Sequence, residues 1–442
     1  LTIRNGATVT VQDTSGVVGA RGDGITVGES SPGFAADGTL TITDAGTVVN
    51  VESADVGFVA AGISANGVDA ATGTIDILSG AVVNVTSSAG DAAINLARGG
   101  NSQGTLNVAG AGTTLNVQGE QGIIAVALDF FGEIGDGDGL FTVTDQATVN
   151  IDSNTPGQGF LQVGLGTGNG VVEVNTGGTI NVDGLVLISD ETANNSSQTG
   201  TVTVTDTGVI NAVAVGVGNN GLLQGTGTVN AERLFVFTGG SVTMDSLTGI
   251  ADIRLPGGSY TATSFDLGQS GDQVLSISEG GAFRTQGPVA LGGAGNSTSL
   301  TLADSGSLFE VTGDTTVNTN VAANSGALFR STGAIDVGNG GVLSGDGGRI
   351  EASLVTVNAG GLIAPGNSPG ILDLSGDLVL NGGALEFELA GNQPGEFDVL
   401  NVTGDVSLNA GGLIAPGNSP GILDLTGDLI LNGGALEFEL AG

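Results

Sequence analysis

Gly38 to Val51 reads GTLTITDAGTVVNV, two runs in which apolar residues alternate with small polar ones across an Asp-Ala-Gly corner. Alternation with period two places Leu40 and Ile42 on one face of a strand and Thr39 and Thr41 on the other. In Val49-Asn50-Val51 the two valines face a core, and the amide faces out or sits at a corner. Gly, Asp, Asn and Ser at such corners, here Asp44 and Gly46, supply the φ > 0 conformations and local hydrogen bonds of a tight turn.

The same phrase returns along the chain. Copies begin at Gly73 (GTIDILSGAVVNV), Gly104 (GTLNVAGAGTTLNV), Gly139 (GLFTVTDQATVNI), Gly170 (GVVEVNTGGTINV) and Gly200 (GTVTVTDTGVINA), at steps of 35, 31, 35, 31 and 30 residues. A recurring period of this size marks a repeat architecture in which a single unit cannot bury its apolar edge and stacking does so. Each copy holds three short alternating segments, as in 201–205, 209–213 and 214–218, with no helical pattern among them. The fold class that follows is all-β: a parallel β-helix, or β-solenoid, with about three short strands per coil. Stacking aligns Asn50, Asn84, Asn116, Asn150, Asn181 and Asn211, and a ladder of side-chain amide hydrogen bonds is expected along that column.

Composition narrows the chemistry. The 442 residues include 83 Gly, no Cys, no His and no Trp, and the eight basic residues are all Arg. Without imidazole, amine or thiol, a Ser-His-Asp triad, a Schiff-base lysine, a P-loop and a Cys/His zinc site are excluded. The reading is therefore that the chain is not an enzyme. A formal net charge of −37 repels phosphates and anionic headgroups, so neither nucleic acid nor direct membrane insertion is expected. Charged residues are only 12% against 39% hydrophobic, which favours a folded chain over a disordered one. The longest apolar run, 123–128, is far too short to span a bilayer, and no signal peptide opens at Leu1. The opening residues read as the middle of a strand unit, and the chain stops inside a repeat copy, so flanking sequence is expected on both sides.

The C-terminal hundred residues carry a second, tighter period. Gly360 to Gly391 reads GGLIAPGNSPGILDLSGDLVLNGGALEFELAG, and Gly411 to Gly442 repeats it with Ser375 becoming Thr426 and Val379 becoming Ile430, a register of 51 residues. Six strands per period suggest two tighter coils. Pro365, Gly366, Pro369 and Gly370 form a rigid corner, repeated as Pro416, Gly417, Pro420 and Gly421. The organisation expected is repeats of 30 to 35 residues over 1–228, looser coils over 229–350, and the duplicated module over 351–442, as one continuous solenoid.

That run, with FDVLNVTGDVSLNAGG after it, resembles the passenger-associated transport repeat, also called the autotransporter-associated β-strand repeat. About 90 residues carry the resemblance, chiefly the Pro-Gly-Asn-Ser-Pro-Gly core. It implies a secreted or cell-surface bacterial protein with a right-handed β-helix. It brings no catalytic residues, and no amphipathic membrane barrel follows the repeats here.

Remaining site candidates are few. Asp136 and Asp138 alternate with Gly135, Gly137 and Gly139 as in calcium loops, yet a single copy without a distal acidic ligand equally makes a solvated turn. No cofactor is expected beyond possible Ca²⁺. Arg21-Gly22-Asp23 spells an integrin-type tripeptide but is ordinary turn chemistry. Phe141, Phe235, Phe237, Phe387 and Phe438 lie in strands and are expected in the core, with a sugar platform as the alternative. The stretch 122–139, carrying Phe130 and Phe131, is a candidate binding loop. The Arg residues are mostly isolated by dozens of residues, unlike the clustered charged faces of polysaccharide lyases. Thr201-Val202-Thr203-Val204-Thr205 evokes the threonine arrays of ice-binding solenoids, but irregular steps of 30 to 35 residues are expected to spoil a lattice.

The function read from these features is an extracellular structural protein, a repeat-built solenoid forming a cell-surface filament, stalk or sheath by head-to-tail homopolymerisation, with divalent cations relieving lateral repulsion. The alternative is an adhesin passenger binding glycans or matrix.

Overall fold

The computed structural model describes residues 1–12, 24–53, 57–64, 69–127, 137–165, 168–190, 199–268, 271–293, 295–366, 370–387, 396–415 and 422–437. The chain divides into two compact units, Leu1–Ile250 and Ala251–Gly442. Both are parallel β-helices, and the described residues contain no α-helix.

In the first unit the alternation of each repeat becomes a coil of three strands, such as Ala71–Leu78, Val82–Ser87 and Ala92–Arg98. Each strand pairs in parallel with its counterpart one coil on. Inward residues Leu40, Ile42, Val49 and Val51 are buried, and each fully buried aliphatic side chain stabilises the fold by about 1.5–3 kcal/mol. A coil alone would leave half of this surface wet. Its neighbours cover it.

The glycine that opens each repeat has a steric cause. Gly38, Gly73, Gly104, Gly139, Gly170, Gly200 and Gly221 stack in one backbone-paired column. At this corner the end of a third strand crosses the start of a first strand. A Cβ on Gly104 would lie 2.3 Å from the Ala97 nitrogen and 2.4 Å from the Ala61 oxygen, distances no side chain tolerates. Ala97 itself is held at φ 59°, a left-handed conformation that glycine more often fills. Repeat length varies between corners while the strands stay in step, so insertions lie outside the ladders.

In Gly221–Asn230 and Ser241–Thr248 the first and second strands run together, as they do again in Gly348–Asn358 and Ile371–Asn381, while the coils between keep them apart. In Gly221–Asn230 the corner shrinks to a register shift between Gly225 and Thr228. The change of coil type expected at 228/229 lies within the strand Gly221–Asn230, and the one expected at 350/351 within Gly348–Asn358. The two compact units divide at Ile250/Ala251.

The second unit stacks shorter coils on an aromatic core. Tyr260 pairs with Phe283, Phe283 with Phe309, and Phe309 with Phe329, spanning 23, 26 and 20 residues per step. Their ring centroids are 4.8, 5.1 and 5.5 Å apart, with Phe265 packed 4.5 Å from Phe283. Such contacts add about 0.5–1.5 kcal/mol per pair beyond burial. The region 229–350, which reads as looser in sequence, is as regular as the rest with a shorter coil. In the duplicated module Leu362 pairs with Ala384 and Ala384 with Leu413, so two coils of 22 and 29 residues fill the 51-residue period.

Candidate functional site

In the first unit the second strands from Val48–Ser53 to the second half of Gly221–Asn230 each turn one asparagine outward, and stacking brings these amides into single file. Asn84 Nδ2 donates to Asn50 Oδ1 at 2.8 Å, Asn116 to Asn84 at 2.8 Å, and Asn150 to Asn116 at 2.8 Å. Asn181 donates to Asn150 at 2.8 Å and Asn211 to Asn181 at 2.7 Å. The file runs further than the sequence motif. Asn230 donates to Asn211 at 2.7 Å, and the Thr248 hydroxyl donates to Asn230. Asn230 sits in Val229-Asn230-Ala231, the same local signal, but only 19 residues after Asn211, which hides it from a search at 30 to 35. Each amide spends one N–H and one lone pair on the file and keeps its second N–H for other partners.

Two residues further along these strands, Gln12, Glu52, Thr86, Gln118 and Asp152 form another outward column. With Ser53, Ser87, Ser88 and Asn154, the first four line an open groove of about 470 Å³. Gln12 Nε2 donates to Glu52 Oε2 at 3.3 Å within it. The lining offers hydroxyls, amides and one carboxylate but no cation, a set able to hydrogen-bond neutral polyhydroxylated ligands. At the foot of the column, Ser153 donates to Asp183 Oδ2 from its N–H at 2.9 Å and its hydroxyl at 2.6 Å. Partial burial raises the pKa of Asp152 above the ordinary carboxylate value, and the charge of Asp183 adds to the effect. The sequence offers no histidine, lysine or cysteine to join this serine–carboxylate pair.

Asp138 is exposed, and its Oδ1 accepts from Asn169 Nδ2 at 2.9 Å. Asn169 Oδ1 in turn accepts from the Thr199 hydroxyl at 2.8 Å. It belongs to a short side-chain file beside the glycine column. Asp136 lies outside the described residues, and among those described no group of three or more His, Cys, Asp or Glu converges as a metal site would require.

At the C-terminal corner, Pro365 ends the strand Leu362–Pro365, and Gly366 has φ 89°. Its N–H donates to Gly345 O at 2.8 Å. Gly370 N–H donates to Oδ1 of Asp398 at 2.7 Å, and Asp398 is completely buried. A carboxylate from the following coil thus braces this corner, a role its local sequence does not announce. Pro369, Pro416, Gly417, Pro420 and Gly421 lie outside the described residues, as do Arg21-Gly22-Asp23, Phe130, Phe131 and Phe438.

Three expectations need correction. Phe141 and Phe387 are core residues, but Phe235 and Phe237 point outward, half-exposed, with near-parallel rings 6.3 Å apart. The stretch 122–139 is not a loop throughout, because Gly122–Val126 is a wholly buried strand. The arginines are not all isolated either. Coil stacking places Arg284, Glu310, Arg330 and Glu351 in one outward column, with contacts of 3.3, 3.4 and 2.7 Å, and Arg349 joins Glu351 at 2.6 Å. Alternating charges make this a register lock.

No family model matches the chain, and no curated protein matches it. Among solved structures, a similarity covering 95% of this chain and 100% of the other is found with the crystal structure of the TibC-catalyzed hyper-glycosylated TibA55-350 fragment, at 14% identity and a TM-score of 0.29. A score that low carries no functional argument. The parallel β-helix stands on the strand pairing itself.

Proposed function

We propose that this chain is a non-enzymatic structural protein of the extracellular space or bacterial cell surface, whose coils serve as a scaffold in a filament, stalk or sheath. The observation that supports this reading is the commitment of side chains to neighbouring coils. The asparagine file, the glycine column, the aromatic stack and the Arg/Glu column all act between coils, and none converges on a reacting centre. A scaffold of this kind gains strength with every coil added, as expected of quasi-one-dimensional repeat proteins. Assembly with further copies would be head to tail through strand edges, and Ca²⁺ or Mg²⁺ would screen lateral repulsion between molecules carrying −37 each. Negative-stain microscopy with surface immunogold labelling tests it. Filaments on cells, and unbundled but intact filaments after chelation, are expected. Isolated particles at every concentration and salt condition would contradict assembly.

The groove beside Glu52 and Gln118 favours a second reading, an adhesin passenger that holds a neutral glycan. Glycan-array binding that is lost in Gln118→Ala with the fold intact would support it, and an array with no hits would remove it.

A further inference from the structure

We propose that the first two outward columns of the second strands in the first unit form an ice-binding strip. The inference is independent of the scaffold reading and rests on the geometry of one face. In eight successive second strands, from Thr8–Gln12 to the second half of Gly221–Asn230, the outward pair is Thr or Val followed two residues later by Asn, with Thr10 replacing Asn in the first. Val82/Asn84, Thr114/Asn116 and Thr148/Asn150 are consecutive examples, paired residue for residue.

Two properties separate these two columns from the rest of the unit, and a third suits them to a lattice. They carry no charge, although the next outward column of the same strands holds Glu52 and Asp152 and the outward side of the first strands holds Asp76 and Glu173. Charged groups hold tight hydration shells that do not merge into an ice lattice, so a strip without them in so acidic a molecule is a distinct surface. The strip also combines methyl groups in one column with amides in the next, so apolar groups order a water cage while fixed donors anchor it. Finally, its spacing is uniform. Six successive amide links measure 2.7–2.8 Å. Coils stack at about 4.8 Å, and outward residues advance about 6.6 Å along each strand. Adsorption to ice requires a crystal face whose oxygen repeats match this rectangular grid. The irregular steps of the sequence leave no mark here, because the loops absorb them.

Single hydrogen bonds to water are worth little in exchange for bulk water, so adsorption needs many groups held in place at once. The amide file supplies that pre-organisation, since each side chain is fixed by the coils on both sides. A crystalline polysaccharide also presents a regular lattice, but sugar faces favour aromatic partners and this strip has none.

The purified chain would be assayed for thermal hysteresis and inhibition of ice recrystallisation, and a fluorescently labelled sample for uptake into a growing ice hemisphere. Parallel pull-downs would use crystalline cellulose and chitin. Shaped ice crystals and uptake are expected for the native chain. Thr148→Lys and Thr114→Lys should each reduce recrystallisation inhibition at least tenfold while circular dichroism and protease resistance stay unchanged. Thr74→Lys, on the outward side of the first strand Ala71–Leu78, should leave it intact. No ice shaping at any concentration would overturn the proposal. So would strip variants as active as the native chain, or capture by cellulose or chitin with no effect on ice.

Discussion

Asn150 Nδ2 donates to Asn116 Oδ1 at 2.8 Å across adjacent coils, in the middle of the amide file. Asn116 also donates to Asn84, so Asn116→Ala removes two hydrogen bonds and leaves two half-buried partners short of one each. A loss of about 1–3 kcal/mol is expected in urea unfolding of the chain. Asn116→Asp should cost at least as much at neutral pH, because the carboxylate faces the Asn84 carbonyl oxygen without a proton to offer it. A loss below that of an outward threonine substitution such as Thr114→Ala would show the file to be incidental.

Gly104→Ala tests the corner. The added Cβ meets backbone atoms at 2.3 and 2.4 Å, which cannot yield as a flexible side chain does. A destabilisation of about 3 kcal/mol is expected. Gly216→Ala, whose nearest neighbour would be a Leu187 methyl at 3.2 Å, should cost less than about 1 kcal/mol. Equal losses at the two sites would refute the steric account of the repeat glycine.

Phe309 occupies the centre of the aromatic stack in the second unit. Phe309→Ala should destabilise that unit by about 3–5 kcal/mol, and Phe309→Leu by clearly less, since leucine fills part of the volume. Chemical-denaturation curves read by near-ultraviolet circular dichroism, which follows the packed rings, would give both values.

The raised pKa of Asp152 fixes a sign. Burial and Asp183 disfavour its charged form in the folded chain, so ionisation destabilises the fold at neutral pH, and the penalty lifts as pH falls through the folded pKa. Asp152→Asn should therefore raise the melting temperature at pH 7, with the gain vanishing near pH 3. Asp304 has the opposite sign. The N–H of Glu279, the Ser307 hydroxyl and the N–H of Gly280 hold its pKa below the usual value, although desolvation opposes them. Its contribution is present above the unfolded pKa and is lost as pH falls through the folded one. Asp304→Asn should lower the melting temperature at pH 7 and have little effect at pH 2. Scanning calorimetry across pH reads both, and a gain for Asp304→Asn at pH 7 would contradict the assignment.

The parts of the structure legible in sequence are those in which one coil repeats the residue of the last at a fixed place within a strand. Val-Asn-Val and the leading glycine meet that condition, so alternation pointed to the file and the glycine marked the period, while the steric corner it fills shows only in the stacked coils. Tyr260, Phe283, Phe309 and Phe329 do not. Their steps are short and uneven, and only pairing shows that they stack. Arg284, Glu310, Arg330 and Glu351 meet for the same reason, across separations that one-dimensional reading treats as isolation. Asp398 was hidden differently, since a buried carboxylate bracing a distant glycine has no local signature. The threonine and valine column beside the amides was visible residue by residue, but its regularity was not, because step length and lattice spacing are independent once loops take up the difference.

At the centre of the account is the claim that the coils of the first unit are held in register by side chains reaching between them. Hydrogen–deuterium exchange on the intact chain, native and Asn116→Ala, tests it most directly. Slow, concerted exchange of the second strands from Val48–Ser53 to Val209–Asn211 is expected in the native chain. In the variant, lowered protection is expected in both Val82–Ser87 and Thr148–Ser153, one coil to either side of the substitution. Rapid exchange of these strands in the native chain, or a loss confined to the strand Thr114–Gly119, would contradict the claim.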